Sequence, residues 1–332
     1  MHRRLLIAGG LLLLLAAALL GLVSLLDKSE LTEAISITIP KGSSAGDVAE
    51  LLHAGGAIRN AYVFKLAVRI RGSSGRIQAG TYRFEPGVRM GDVLAAIEQG
   101  RTERIKVLVR EGATLRMIGE VLEKQKITSS RDFLAAAADK ALLGEFGIPG
   151  PTFEGYLFPD TYDFSPAQDA ATVIRAMAST FFRKISGVSP EGISPGDLYS
   201  KVILASIVER EYRRADEAPV IASVFMNRLA MRMPLQSCAT VVYILTEKLG
   251  NPHPDIVLYA DLQLQDSYNT YRNRGLPPGP ISNPGETALR AVFNPAKTDY
   301  LYFRLADGAT GTHRFSRTFD EHTQAAIPVK GF

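Results

Sequence analysis

The chain has 332 residues, 46% of them apolar, a formal net charge of +4 and a sequence pI of about 9.1. That is enough apolar material for more than one domain. The small basic excess forms no dense Lys/Arg block, so nucleic acid is not indicated as a partner. The single cysteine, Cys238, excludes an intramolecular disulfide, and a lone Cys is more often a small buried filler than a nucleophile.

The N-terminal "MHRR" precedes an uncharged apolar run over residues 5–26. At helical rise such a run spans roughly 33 Å, enough for a bilayer core. Arg3 and Arg4 before it predict a cytoplasmic start (residues 1–4) and an exported remainder. The small residues at 16–18 also suit a cleaved signal peptide, but the apolar core exceeds the about 7–15 residues of such peptides. An uncleaved single-pass transmembrane helix in the cytoplasmic (inner) membrane is therefore expected, with the rest of the chain on the outer, periplasmic side. Cytosolic nucleotide cofactors do not fit that location, and no phosphate-cradling glycine motif is present.

After a polar linker at 27–35, one layout recurs three times: "ITIPKGSSAGDVAELL" (37–52), "YRFEPGVRMGDVLAAI" (82–97) and "VLVREGATLRMIGEVL" (107–122). Each copy has an alternating segment that predicts a strand, a turn glycine (Gly42, Gly87, Gly112), and a helical pattern starting six residues later at Val48, Val93 or Ile118. Ser44 and Thr114 suit helix caps. The irregular period argues against a solenoid. The first copy resembles about half of a LysM module, a small fold that binds N-acetylglucosamine polymers, without fixing a sugar-binding residue. Residues 36–122 are accordingly expected to form a LysM-like α/β subdomain and residues 123–332 a mixed α+β domain.

In that second region an alanine-rich helical stretch ends at "GIPGP", and the aromatic, proline-interrupted "PTFEGYLFPDTYDFSP" follows. Helices are predicted around 168–185, from "SPGD" at 194 through "ASIVEREY" (205–212), and over 218–232. A long irregular stretch with "YNTYRNRGLPPGPISNPG" comes next, then the strand "YLYFRL" and a hairpin through "GATGTHRFS". A loop of that length inside a compact domain is usually functional.

The histidines at 2, 53, 253, 313 and 322 show no helical ligand spacing, so no metal or other cofactor is expected. No G-x-S-x-G nucleophile elbow is present. What remains is carboxylate chemistry. Glu209 falls on the apolar stripe Leu198, Val202, Ala205 and Tyr212 of its helix. A carboxylate losing hydration there retains its proton and suits general acid catalysis, which glycosidic cleavage requires. The bland alternative is an inward Glu paired with Arg210, Arg213 or Arg214, and Glu211 on the adjacent face is nearly as eligible. The loops "LQSCATVVY" (235–243) and "YNTY" (268–271) add amides, hydroxyls and aromatic rings of the kind that bind sugars. The same polar and Pro-Gly residues also make ordinary turns.

"FEGYLFPDTYDF", "ASIVERE", "VFMNRL", "LQSCATVVY", "YNTYRNRGLPPGPISNPG" and "NPAKTDYLYF" resemble, in order, the blocks of the endolytic murein transglycosylase family, the YceG-like proteins. The resemblance runs from about residue 37 to 320. It implies an endolytic peptidoglycan lytic transglycosylase that cleaves the MurNAc–GlcNAc bond, leaves 1,6-anhydroMurNAc ends and terminates nascent strands. The first Glu of the "SIVERE" block, Glu209, would be the catalytic residue. Glu154, Gln236, Ser237, Tyr268, Asn269, Thr270 and Tyr271 are the expected substrate contacts, with Asp160 a further carboxylate of the aromatic segment. The implied partners are peptidoglycan glycan strands, the cytoplasmic membrane and peptidoglycan synthases (penicillin-binding proteins). One departure is visible: Cys238 stands where the family pattern carries Asp, so a second carboxylate is missing there. The rival classes are a non-catalytic glycan-binding scaffold and a muramidase that adds water.

Overall fold

The computed structural model describes residues 28–324, so the apolar run at 5–26 lies outside the described residues. Among those described, no helix is long and apolar enough to cross a membrane. The chain divides into two compact units at residues 105/106, and both mix helices with two-stranded sheets, an α+β architecture.

In the first unit β1 (Ile35–Ile39) and β2 (Gly80–Phe84) pair antiparallel, with Ile37 opposite Tyr82. Helices α1 (Ala45–Ala54) and α2 (Ala61–Ile70) lie between them in sequence, and α3 (Met90–Glu98) follows. Strand alternation sends Ile37, Ile39, Tyr82 and Phe84 inward, where they meet Val48, Leu52, Phe64, Val93 and Ile97. Helix α1 starts as its sequence suggests. Ser44 Oγ accepts from the Asp47 amide at 3.2 Å, and the Asp47 carboxylate accepts from the Ser44 amide at 2.9 Å. Such a reciprocal cap is worth about 1 kcal/mol.

The second unit starts within β3 (Ile105–Leu108), which pairs with β4 (Thr161–Phe164). Its helices are α4 (Leu115–Lys124), α5 (Ser130–Ala137), α6 (Lys140–Glu145), α7 (Ala170–Ile185), α8 (Pro195–Glu211), α9 (Ala218–Ala230), α10 (Cys238–Tyr243) and α11 (Glu286–Phe293). The antiparallel hairpin β5 (Tyr302–Asp307) and β6 (Thr312–Ser316) follows, then α12 (Phe319–Gln324).

The three-fold sequence layout is real in the backbone. Gly42, Gly87 and Gly112 all take positive φ, at 86°, 76° and 72°, each between a strand and a helix. That region is closed to most side chains, which is why glycine recurs there. The expected boundary at 122/123 moves to 105/106. The third copy joins the second unit because β3 pairs with β4 and α4 packs on α5.

Helix α8 is the central element, packed against α9 and α11. Residues 202–208 are buried without a break, so the helix is enclosed on all sides instead of showing the expected single apolar stripe. The segment 281–285 is also buried and lies along α8: the Ile281 amide donates to Ser206 Oγ at 3.0 Å, and Ser282 Oγ donates to the Ser206 carbonyl at 3.1 Å. Asn283 then fastens this segment to the Gly112 turn. Gly112 N donates to its carbonyl at 2.9 Å, and its own N and Nδ2 both donate to the Ala113 carbonyl at 2.9 Å.

Candidate active site

Helix α8 ends at Glu211, so Glu209 sits in its last turn and not mid-helix. Glu209 Oε2 accepts from the Gly285 amide at 2.8 Å, and Oε1 accepts from the Tyr212 hydroxyl at 3.3 Å. Burial, with the nearby Glu111 charge adding to it, pushes Glu209 up to about 7 against those two hydrogen bonds. It forms no ion pair among the described residues, and Arg214 pairs instead with Asp216 at 2.8 Å. Its side chain packs on the Gly112 turn and the Gly285 segment. A Cβ on Gly285 would meet the exposed Glu111 side chain, which would have to swing aside. Glu209 is thus tied into the joint between α8 and two loops, and it does not line the large cleft beside it.

Glu211 does. A cleft of about 650 Å³ opens at the C-terminal end of α8, lined by Glu211 together with Gln236, Ser237, Tyr271, Arg228 and His313, among others. Among the described residues Glu211 is the only carboxylate that lines it. Ser237 Oγ donates to Glu211 Oε1, and the Ala239 amide also serves the carboxylate. Burial nevertheless raises Glu211 above the usual carboxylate range, outweighing Ser237 and the positive groups His313 and Arg210. A half-buried carboxyl that holds its proton more tightly than an exposed one and faces open volume is placed as a candidate proton donor.

The sequence-predicted contacts separate into two groups. Gln236, Ser237 and Tyr271 line the cleft with Glu211. Gln236 holds a left-handed backbone at φ 53°, its amide donating to the Thr270 carbonyl at 3.1 Å. A non-glycine residue there is strained, a condition common at functional sites. Cys238 is exposed on the cleft, not buried filler, with Sγ 2.9 Å from the Tyr271 hydroxyl.

The other group is structural. Asn269 is fully buried; Nδ2 donates to the Leu262 and Leu264 carbonyls at 3.0 and 2.9 Å, and Oδ1 accepts from the Tyr271 amide at 3.0 Å. It has no surface to offer a sugar. Thr270 is buried, its hydroxyl 2.9 Å from that of Thr240 and accepting from the Ser237 amide at 3.1 Å, so it braces the Ser237 turn. Tyr268 lies outside the cleft, stacked on Tyr243 with ring centroids 5.1 Å apart. Glu154 is buried and caps α4: Oε2 accepts from the Leu115 amide at 3.1 Å and Oε1 from Asn283 Nδ2 at 2.9 Å. Burial pushes it up to about 8. Asp160 accepts from the Thr161 amide at 2.7 Å, at the start of β4.

Sequence reasoning missed Arg228, Tyr302, Arg304 and His313. In the sequence His313 stands out only as a candidate zinc ligand. Its Nδ1 lies 2.6 Å from Glu217 Oε2, and its amide donates to the same carboxylate at 3.0 Å. The available signal was the Arg of "VFMNRL", an ionisable group on an amphipathic helix whose other face packs on α8. Among the described residues no cluster of three His, Cys, Asp or Glu side chains is placed to hold a metal.

A helix-borne carboxyl thus stands in a cleft edged with amide, aromatic and guanidinium groups, on an α+β scaffold. Residues 37–327 match the YceG-like family, and the chain belongs to that family. It is 33% identical over 308 residues to the endolytic murein transglycosylase of Bacillus subtilis, covering 88% of this chain and 83% of that protein. It is 26% identical over 322 residues to the endolytic murein transglycosylase of Streptococcus pneumoniae, of which it spans 57%. A crystal structure of a yceG-like protein from Listeria monocytogenes superposes with a TM-score of 0.58 at 32% identity, covering 89% of this chain and 99% of that one.

Proposed function

We propose that this chain is a lytic transglycosylase that cuts within peptidoglycan glycan strands, and that Glu211, not Glu209, is its proton donor. The observation that carries the reading is the lone Glu211 carboxyl in the 650 Å³ cleft. Glycoside hydrolases ordinarily use two carboxylates, one as acid and one to activate water or attack the sugar. A transglycosylase needs only one, because the substrate supplies its own nucleophile. The endolytic murein transglycosylases to which the chain is similar support the same chemistry.

In this mechanism protonated Glu211 gives its proton to the oxygen bridging N-acetylmuramic acid and N-acetylglucosamine as that bond breaks. Positive charge develops at C1 of the muramoyl ring. Glu211, now a carboxylate steadied by Ser237 and Ala239, takes the proton of the C6 hydroxyl while that oxygen closes on C1. The products are a free 4-hydroxyl and a 1,6-anhydro end, Glu211 is protonated again, and no water is consumed. Gln236 and Tyr271 stand where they can bond and stack on the sugars.

The rest of the reading concerns placement. Residues 5–26 would anchor the chain in the cytoplasmic membrane with the cleft outside, where it would meet nascent strands and their synthases. The strand, Gly42 turn and α1 that carry the LysM resemblance are formed, which supports a glycan-holding role for the first unit. The deciding experiment is mass spectrometry of purified glycan strands after digestion. Anhydro ends support the reading, reducing ends indicate a muramidase, and intact strands indicate a scaffold.

A further inference from the structure

The cleft carries far more positive than negative charge. Among the described residues Arg210, Arg213, Arg228 and Arg304 line it against one carboxylate, Glu211. None of the four forms an ion pair among the described residues, although Arg116, Arg175, Arg290 and Arg317 elsewhere all do.

Two of the four converge at one corner. Arg228 is buried and fixed: Nε donates to the Leu301 carbonyl at 2.6 Å and Nη1 to the Leu235 carbonyl at 2.8 Å, with the guanidinium 5.0 Å from the Tyr302 ring centroid. His322 stacks on the same ring at 5.4 Å. Arg304 Nε and His322 Nδ1 are buried polar atoms with no hydrogen-bond partner. Buried donors without partners are rare and call for a ligand. Burial, with the charges of Arg304 and Arg228, holds His322 below the ordinary histidine range, which puts the three groups together. Burial likewise lowers Arg228, a cation taken out of water with no counter-charge.

We propose that Arg228, Arg304 and His322 form a carboxylate-binding corner, and that it receives an acidic group of the peptide stem borne by the glycan strand. This rests on the functional reading above. The planar fork of a guanidinium matches a carboxylate, and each such charge-assisted bond is about twice as strong as a neutral one. The sugar rings of the strand are uncharged, so they do not answer a cluster of cations. The acids of that polymer lie on the lactyl group, once its peptide is removed, or on the peptide itself. In an intact strand the lactyl carboxyl is bound up as the amide that carries the peptide, so the free acids the corner can meet are those of the peptide.

The test uses the full chain carrying Glu211→Gln, so that binding is read without turnover. Three ligands are compared: stem-bearing strands, the same strands stripped by an amidase to leave lactyl carboxylates, and an uncharged chitooligosaccharide. Adding Arg304→Gln is expected to weaken stem-bearing strands about 10-fold, the loss of one hydrogen bond to a charged group. Their salt dependence should flatten, and the other two ligands should bind as before. His322→Gln should act in the same direction, and it serves as the second probe if Arg304→Gln unfolds. Unchanged affinity for stem-bearing strands overturns the corner. An equal loss on stripped strands assigns it to the lactyl group, and an equal loss on the chitooligosaccharide makes it simple packing; either overturns the stem assignment. Strand cleavage by the unaltered chain reports on the functional reading separately. If it cleaves and Arg304→Gln binds all three ligands normally, only the corner falls. If it neither cleaves nor binds strands, both fall.

Discussion

Ser237 donates its hydroxyl hydrogen bond to Glu211 across 26 positions of sequence, joining the end of α8 to the start of α10 at the mouth of the cleft. Glu209, two residues earlier, has its oxygens occupied by Gly285 and Tyr212. The two carboxyls therefore carry different expectations. Glu211→Gln cannot give and recover a proton and should lower strand cleavage by more than about 100-fold, the usual worth of general acid–base catalysis. Glu209→Gln can still accept from the Gly285 amide and should stay within a few-fold of the parent. Counting anhydro ends for both variants decides; the reverse order would return the acid to Glu209.

That distinction shows how far the sequence could be read. The helix, the carboxylate chemistry and the loops that flank it were legible because capping, periodicity and residue type are local signals. Which of two carboxyls meets open volume depends on where α8 stops and where segment 281–285 lies against it, and both are set by contacts distant in sequence. Asn269 misled for a related reason. An amide between two tyrosines suits a sugar, but it equally suits a loop whose carbonyls at 262 and 264 need donors.

Asn269→Ala should accordingly act on stability. It orphans two carbonyls and one amide, at about 1–3 kcal/mol for each group left unsatisfied. The melting temperature should drop by several degrees, while cleavage per folded molecule at low temperature stays within a few-fold of the parent. Thermal unfolding and cleavage measured on one preparation check this. Lost activity at an unchanged melting temperature would restore Asn269 to the substrate.

Stability should decline as pH rises from weakly acidic to weakly basic. Burial pushes Glu154 up to about 8 from an ordinary value of 4.5, and burial pushes Glu209 up to about 7. Between the unfolded and folded values the folded chain binds more protons than the unfolded one. Its extra stability is therefore complete below about 4.5 and is lost as pH climbs through 7 and 8. Melting temperature measured against pH should fall over that window. In Glu154→Gln the fall should be shallower, so the gap to the parent narrows towards pH 8. Parallel curves would remove Glu154 as a source.

Cys238 offers a chemical handle on the cleft. Its thiol is exposed and stands beside Tyr271. Alkylation with a bulky maleimide should block strand cleavage, whereas Cys238→Ser should keep activity and become insensitive to the reagent. A fully labelled protein that still cleaves at the parental rate would show that glycan does not pass this side of the cleft.

Asn283 has a consequence for motion. It spends its carbonyl on Gly112, its Oδ1 on the Leu157 amide and its Nδ2 on Ala113 and Glu154. Glu154 in turn holds the Leu115 amide that opens α4. Two backbone amides, Leu157 directly and Leu115 through Glu154, thus hang on one side chain, and Gly112 hangs on the carbonyl of the same residue. They should share a single opening event, exchanging their hydrogens for deuterium at a common rate although 45 positions separate the first from the last. Removing that one amide group would let the third repeat, the aromatic segment and the floor under α8 breathe independently.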